Sequence, residues 1–321
     1  MFIWKYGDTE KFYYAYGFDR KNMSRKKVMN EYIINEQAFL QRIKYRNYHI
    51  HKGMWSARAI VSDKFYFFLF LKSLGIPTPM ILYYTRNGKL FYGVGDKTIS
   101  EENSIETVFE QELDGFAKPF GGQMGTGAFS LSIQNKTVFV NNQPTTKENV
   151  LKTITNTNYI IQERVVQHPL MNKLCSTSLN TIRMITLITE DEEIIVVRAG
   201  ARIGREGNVV DNTSKGGMMV GIDLNTGRLM KKGFIKPGYG TVVTQHPDNG
   251  LVFEGFEIPY FKEAVELAKE LHSKLYRIHS VGWDIAITPN GPMFIEGNSI
   301  WEIGLIQATM GGLKSIEKYF D

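Results

Sequence analysis

Residues 281–298 read Val-Gly-Trp-Asp-Ile-Ala-Ile-Thr-Pro-Asn-Gly-Pro-Met-Phe-Ile-Glu-Gly-Asn, and they narrow what this chain can fold into more than any other stretch. Two apolar, β-prone runs flank Pro289-Asn290-Gly291, a tight-turn signal, so the segment is expected to close as an antiparallel hairpin. Side chains alternate faces with period two, so Asp284, Ala286 and Thr288 share one face, and Glu296 and Asn298 share a face of the partner strand. A turn centred on Asn290 sets Asp284 opposite Glu296 and gathers all three polar groups on one side. Like charges directly opposed across a pair of strands, with Cβ atoms about 5 Å apart, repel. A hard divalent cation between two carboxylates and an amide oxygen removes that repulsion. Oxygen-only ligands suit Mg²⁺, which keeps several waters and shares its shell with substrate phosphates. The alternative is a turn carrying two solvated acids. On repulsion alone, neutralising either acid would slightly stabilise the metal-free protein.

The rest of the chain can supply a core for such sheets. It has 321 residues, 43% of them hydrophobic, enough for two or three subdomains. No run approaches the roughly 20 apolar residues that span a bilayer; the most apolar segment, 65–71, is flanked by Lys64 and Lys72. The N-terminus lacks the order of a signal peptide, and the lone Cys175 fits a reducing compartment, so a cytoplasmic protein is expected, at most peripheral at the inner face of a membrane. Cys175 has no obvious activating partner and reads as an incidental buried thiol. The net charge of +5 is uneven: residues 1–60 hold twelve Lys and Arg against five Asp and Glu, a local +7. This basic head could face phosphate, anionic lipid or an acidic partner, or could be a solvated helix surface. Nucleic acid is disfavoured, since no binding module is recognisable.

Along the chain, residues 22–47 look helical. Ser62 is placed to cap a helix over Phe65–Leu74, which Gly75, Pro77 and Pro79 stop. Strands are expected around 81–85 and 90–94, over 159–166, 179–189, 194–203, 218–223 and 228–230, and a short helix over 147–155. One amphipathic helix is expected from Pro259 to His279, with Ala264, Ala268, Leu271, Leu275 and Ile278 at three/four spacing. Strands joined by tight turns outnumber helices, so the fold class is α+β with largely antiparallel sheets. Between two alternating segments lies Lys118-Pro-Phe-Gly-Gly-Gln-Met-Gly125-Thr-Gly127. The residues after Gly127 alternate like a strand, so this loop caps a hairpin and is no Walker loop. Its amides could close over phosphates with Lys118 adding charge, or it could be an ordinary glycine-rich turn.

The order of these pieces is more specific than any one. Asp63-Lys64 precedes a helix ending Gly-Ile-Pro-Thr-Pro; Lys118 precedes the glycine loop; Gln162-Glu163-Arg164-Val165 end a strand; Arg183 and Arg202 stand in later strands; Asp284 and Glu296-Gly-Asn298 close the series. From residue 60 onward this resembles the ATP-grasp superfamily. Gln167-His168-Pro169, Ser178-Leu-Asn-Thr-Ile-Arg183, Val210-Asp211-Asn212 with Gly216-Gly217, and Gly282-Trp-Asp284 are similar to its sugar-transfer-associated members, bacterial proteins whose genes accompany surface-polysaccharide synthesis. The resemblance implies two α+β subdomains clamping ATP, a lid over 61–166 and a metal-bearing catalytic part over 167–321; the basic, helical-looking region at 1–60 departs from the superfamily, where a longer N-terminal α/β domain is usual.

It also implies roles. Lys64, Lys118 and the loop glycines Gly125 and Gly127 would hold ATP phosphates. Gln162, Glu163, Arg164 and Val165 would form a hinge whose backbone reads adenine, with Glu163 or His168 near the adenosine. Leu170 stands where an acid for ribose is expected. Asp284, Glu296 and Asn298 would hold Mg²⁺, two ions by analogy, with Mn²⁺ as an alternative. Arg183, Arg202 and Asn212 match positions that serve phosphate and the acyl intermediate in glutamate-adding ligases of the superfamily; either arginine could instead simply pair with surface acids on a strand. The implied activity is carboxylate–amine or carboxylate–thiol ligation through an acyl phosphate, on small-molecule carboxylate and amine substrates. A small-molecule or sugar kinase is the alternative. So is a non-catalytic ATP-binding subunit, docked by its basic head to a glycosyltransferase or a membrane surface.

Overall fold

The computed structural model describes residues 16–20, 23–49, 57–87, 89–92, 109, 111–120, 127–207, 216–235 and 240–320. The chain divides into two compact units. One comprises residues 1–62, 167–292 and 296–321; the other comprises 63–166 with Met293–Ile295.

The larger unit begins with α1 (Arg25–Glu31), α2 (Glu36–His49) and α3 (Arg58–Ser62). The single helix expected over 22–47 is thus two. Ser24 caps α1, and the Asn35 side chain accepts from Ala38 N at the start of α2. Between them the Ile33 N–H donates to the Gln307 side chain and the Ile33 carbonyl accepts from it. A partner 274 residues away takes the backbone groups a continuous helix would use.

The smaller unit starts at α4 (Lys64–Ser73), whose cap is Asp63 and not Ser62. Asp63 accepts from Phe65 N and Tyr66 N at 2.9 and 3.0 Å, while Ser62 ends α3. Next come β1 (Ile81–Arg86), β2 (Lys89–Tyr92), β3 (Leu113–Pro119), β4 (Phe129–Gln134), β5 (Thr137–Val140), β6 (Gln143–Thr145), α5 (Lys147–Asn156) and β7 (Tyr159–Glu163). They make one antiparallel sheet in the order β2-β1-β7-β3-β4-β5-β6. Phe65, Phe68 and Leu69 of α4 pack on Ile81, Tyr84 and Ile160 of one face. Val150 and Ile154 of α5 pack with Leu113, Ala117, Leu131 and Ile161 on the other. Period-two alternation along β3 and β7 feeds both layers.

The larger unit resumes with α6 (Pro169–Asn172), β8 (Thr181–Ile188), β9 (Ile194–Ile203), β10 (Met218–Ile222), β11 (Leu229–Ile235), β12 (Thr241–Val243), α7 (Phe261–Ser273), β13 (Ser280–Thr288), β14 (Gly291–Asn298), α8 (Gly304–Met310) and a 3₁₀ segment, Lys314–Phe320. Its sheet runs β12-β11-β10-β9-β8-β13-β14. The expected α+β class with antiparallel sheets describes both units. The amphipathic helix is shorter than expected. It ends at Ser273, where Lys274 N turns back to Leu271 O and successive turns carry the chain to Ile278. Leu275 and Ile278 remain buried without being helical. One cluster joins Phe39 and Ile43 of α2 to Ile185 and Leu187 of β8, to Trp301, and to Ile306 of α8. The N-terminal helices are therefore part of this unit's core. Among the described residues no helix is long and apolar enough to cross a membrane.

Candidate active site

The hairpin forms with Pro289-Asn290 as its turn, and every residue of β13 is buried. Asp284 lies directly opposite Arg183 in the β13–β8 register. Arg183 grips it with two bonds, Nε to Oδ1 at 2.5 Å and Nη2 to Oδ2 at 3.0 Å. Arg202 stands on β9, opposite Thr181. Its Nη1 reaches across β8 to Oδ2 of the same carboxylate at 2.8 Å. The Asp284 side chain is 3% exposed and the two arginines 16% and 15%. Burial alone would push this carboxyl up, but the Arg183 and Arg202 charges outweigh it. With the hydrogen bonds that Arg183 donates they hold Asp284 below the usual carboxylate range. So Asp284 is ionised, and three charge-assisted bonds fix it.

The Glu296 side chain lies within reach of Asp284, and Asn298 Nδ2 donates to Glu296 Oε1 at 3.4 Å. Asp284, Glu296 and Asn298 therefore converge as the alternation implied. Gly297 between them has a packing reason: a Cβ there would meet Trp283 Cζ3 at 2.9 Å and Val61 Cβ at 3.2 Å. Two carboxylates and an amide oxygen form a hard-oxygen set that fits Mg²⁺ completed by water and phosphate oxygens. Among the described residues no group of three or more His, Cys, Asp or Glu could hold a metal. The arginines, expected to serve phosphate, are here engaged with Asp284.

Several further side chains hold the backbone around this site. The Asn47 amide on α2 donates to Ser280 O at 3.1 Å and Ser299 O at 2.6 Å, and accepts from Ser280 N at 3.1 Å. It ties the start of β13 to the residue after Asn298. Gln167 and Asn180 interlock: Gln167 Oε1 accepts from Asn180 N and Nδ2, and both amides donate to Cys175 O. Asn180 is wholly buried and also accepts from Gly204 N. These bonds pin the loop that leads into β8, so the Gln167 and Asn180 of the resemblance motifs are structural here. Cys175 is buried, as expected. Beyond β9, Arg205 holds Asp248 with bonds of 2.8 and 2.6 Å, and Asp248 also accepts from Glu206 N. The Arg205 bonds overcome burial and hold the Asp248 carboxyl down at about 2. That pair anchors the entry to residues 208–215. Asn212 lies outside the described residues, as does Gly125.

The other expected residues belong to the smaller unit, except His168. Lys64 is the first residue of α4. Lys118 on β3 stands opposite Ile160, and its Nζ is 5.5 Å from the Phe116 ring centroid. In register, Lys118 shares a sheet face with Phe116 and Gln162. Gln162 is buried and donates to Pro79 O; Glu163 accepts from Met80 N at 3.0 Å. Arg164 N donates to Asp114 O, and Val165 lies beyond the end of β7. The Gln162 and Glu163 side chains thus hold the 79–80 segment. Gly127 has φ +77°, a left-handed conformation, and its carbonyl accepts from Tyr159 Oη at 2.9 Å. In the larger unit, His168 N donates to Ile287 O, its ring Nδ1 caps α6 by accepting from Leu170 N, and the ring packs edge-on to Tyr260.

Residues 45–318 match the family described as sugar-transfer associated ATP-grasp. Among solved structures the chain is similar to an ADP complex of N5-carboxyaminoimidazole ribonucleotide synthetase (TM-score 0.44, 12% identity, 77% of this chain and 46% of that one). It is also similar to D-alanyl-alanine synthetase A from Vibrio cholerae O1 biovar eltor (TM-score 0.45, 12%, 82% and 64%). An L-amino acid ligase from Bacillus licheniformis is a third (TM-score 0.41, 11%, 78% and 42%). The chain spans roughly half the length of the first of these solved structures. No curated protein matches it.

Proposed function

Because the chain belongs to the sugar-transfer associated ATP-grasp family, we propose that it is an ATP-dependent carboxylate–amine or carboxylate–thiol ligase acting through an acyl phosphate, in surface-polysaccharide or related biosynthesis. The observation that carries the reading is the buried, ionised Asp284, held by Arg183 and Arg202 beside Glu296 and Asn298. Asp284, Glu296 and Asn298 would hold Mg²⁺, which when bound neutralises phosphate charge. Lys64, Lys118, Gly125 and Gly127 would bind phosphates. The backbone at 162–165 would read adenine, with Glu163 or His168 near the adenosine. A substrate carboxylate oxygen attacks the γ-phosphorus, the bond to ADP breaks, and ADP leaves. Nitrogen or sulfur of the second substrate then attacks the acyl carbon, phosphate departs, and the nucleophile's proton goes to solvent or a base. Arg183, Arg202 and Asn212 would face the negative charge that develops in both steps; such transfers are governed by positioning and electrostatics. Lys26 and Lys27, exposed on α1, would contribute to a contact with an anionic membrane surface or an acidic glycosyltransferase.

The test uses hydroxylamine as a trapping nucleophile. With ATP, Mg²⁺ and a panel of sugar acids and amino acids, one carboxylate should give a hydroxamate together with ADP and phosphate. Arg202→Ala should cut that rate by about 10²–10³ with a much smaller change in ATP affinity. A stable phosphate ester as the sole product would replace the ligase with a kinase. Absence of ADP across the whole panel would leave a non-catalytic binder.

A further inference from the structure

We propose that Arg183 and Arg202 are resident counter-cations of the acid pair: they keep Asp284 in place while the site awaits its ligands, and a divalent cation gains that carboxylate only when a phosphate-bearing ligand draws the guanidiniums away. This rests on the reading of the hairpin as a nucleotide–metal site. Both Asp284 oxygens are engaged, Oδ1 by Arg183 and Oδ2 by both arginines. The carboxylate is 3% exposed, so an incoming cation cannot share it from a solvent side. Each guanidinium keeps about five times that exposure, and a phosphate can approach it directly. A free divalent cation must therefore displace two like-charged groups from the oxygens it needs, and would sit beside them once bound. Phosphate reverses the balance. A guanidinium fork pairs with it through two parallel bonds, better than with one carboxylate shared between two arginines. The exchange keeps every charge paired: each arginine trades a carboxylate for a phosphate, and Asp284 trades the arginines for the cation. Linkage then requires that cation and phosphate-bearing ligand each raise the affinity for the other.

The sign of one variant separates this from a merely structural ion pair. Mn²⁺ binding to the nucleotide-free protein is measured by electron paramagnetic resonance for wild type, Arg202→Gln and Asp284→Asn. Arg202→Gln should bind Mn²⁺ at least tenfold more tightly than wild type, and Asp284→Asn should lose the site. Equal or weaker Mn²⁺ binding by Arg202→Gln overturns the proposal. Arg202→Gln keeps both Arg183 bonds, but if it does not fold, wild type carries the test through the Arg183 Nε–H resonance. Saturating Mg²⁺ alone should leave that signal in place, and Mg²⁺ with β,γ-methylene-ATP should move it. Movement on Mg²⁺ alone refutes the clamp. If Arg202→Gln gains Mn²⁺ affinity while the analogue moves nothing, the clamp stands and the nucleotide reading falls.

Discussion

Asp284→Asn is the perturbation on which sequence and structure disagree in sign. Two acids facing each other across a hairpin repel, so neutralising one is expected to stabilise the metal-free protein. In the structure Arg183 and Arg202 also grip Asp284, with contacts of 2.5, 3.0 and 2.8 Å. An asparagine oxygen in the Oδ2 position keeps at most two of the three bonds, and its amide nitrogen turns a donor toward the Arg183 Nε–H. Breaking a buried ion pair by removing one partner costs ~3–5 kcal/mol. The arginines retain 16% and 15% exposure and recover some hydration, which places this case at the low end, about 3 kcal/mol. For a unit of this size that lowers the midpoint of thermal unfolding by roughly 6–12 °C. The measurement is thermal unfolding by circular dichroism at neutral pH with chelator present. The pH dependence supplies a second check. A carboxyl whose folded pKa lies below its unfolded value of 3.8 stabilises the fold above that pH and loses its contribution as pH falls toward its folded pKa. The gap between wild type and variant should therefore close below about pH 4. A variant as stable as wild type at pH 7 would show that repulsion from Glu296 outweighs the arginines, and the electrostatic argument would fail.

Asn47→Ala removes the amide joining Ser280 to Ser299 and leaves Ser280 N without its acceptor, so it should cost about 3 kcal/mol. Asn47→Asp should be no better despite equal size, because a carboxylate would face two carbonyl oxygens; chemical denaturation of both variants checks this, and wild-type stability in Asn47→Asp would refute the assignment. Burial holds His272 and His279 down at about 4, and the Nδ1 of each has no hydrogen-bond partner. Both are neutral when folded and protonate more readily when unfolded, so stability should be full above pH 6.5 and fall between 6.5 and about 4, by at most ~3 kcal/mol for each. In His279→Phe, whose ring can still pack on Phe320, the slope in that window should be clearly shallower, as unfolding midpoints across the range would show.

What could be read from the sequence was governed by local chemistry. The hairpin follows from β-prone runs around Pro289-Asn290, and period-two alternation set the acids and Asn298 on a common side. Most strands of both sheets (not β5, β6 or β12), the α5 helix and the burial of Ala264, Ala268 and Leu271 follow in the same way from periodicity and turn residues. Family membership was visible in the order of motifs, which needs no contact between them. Decisions that depend on partners distant in the chain were not visible. Residues 32–35 interrupt an otherwise helical pattern because Gln307 binds the Ile33 backbone. Asp63 rather than Ser62 caps α4, because Ser62 is the last residue of α3. Asn47 braces a hairpin 233 residues away, in a helix whose pattern shows only a polar residue among apolar ones. Arg183 and Arg202 lie 101 and 82 residues from Asp284, and only sheet register brings them to the same carboxylate. Propensity, alternation and capping act within a few residues and are written in the order of the chain. The charge on a buried carboxylate is decided by whatever cations the assembled sheet places beside it, and that is a property of the tertiary structure alone.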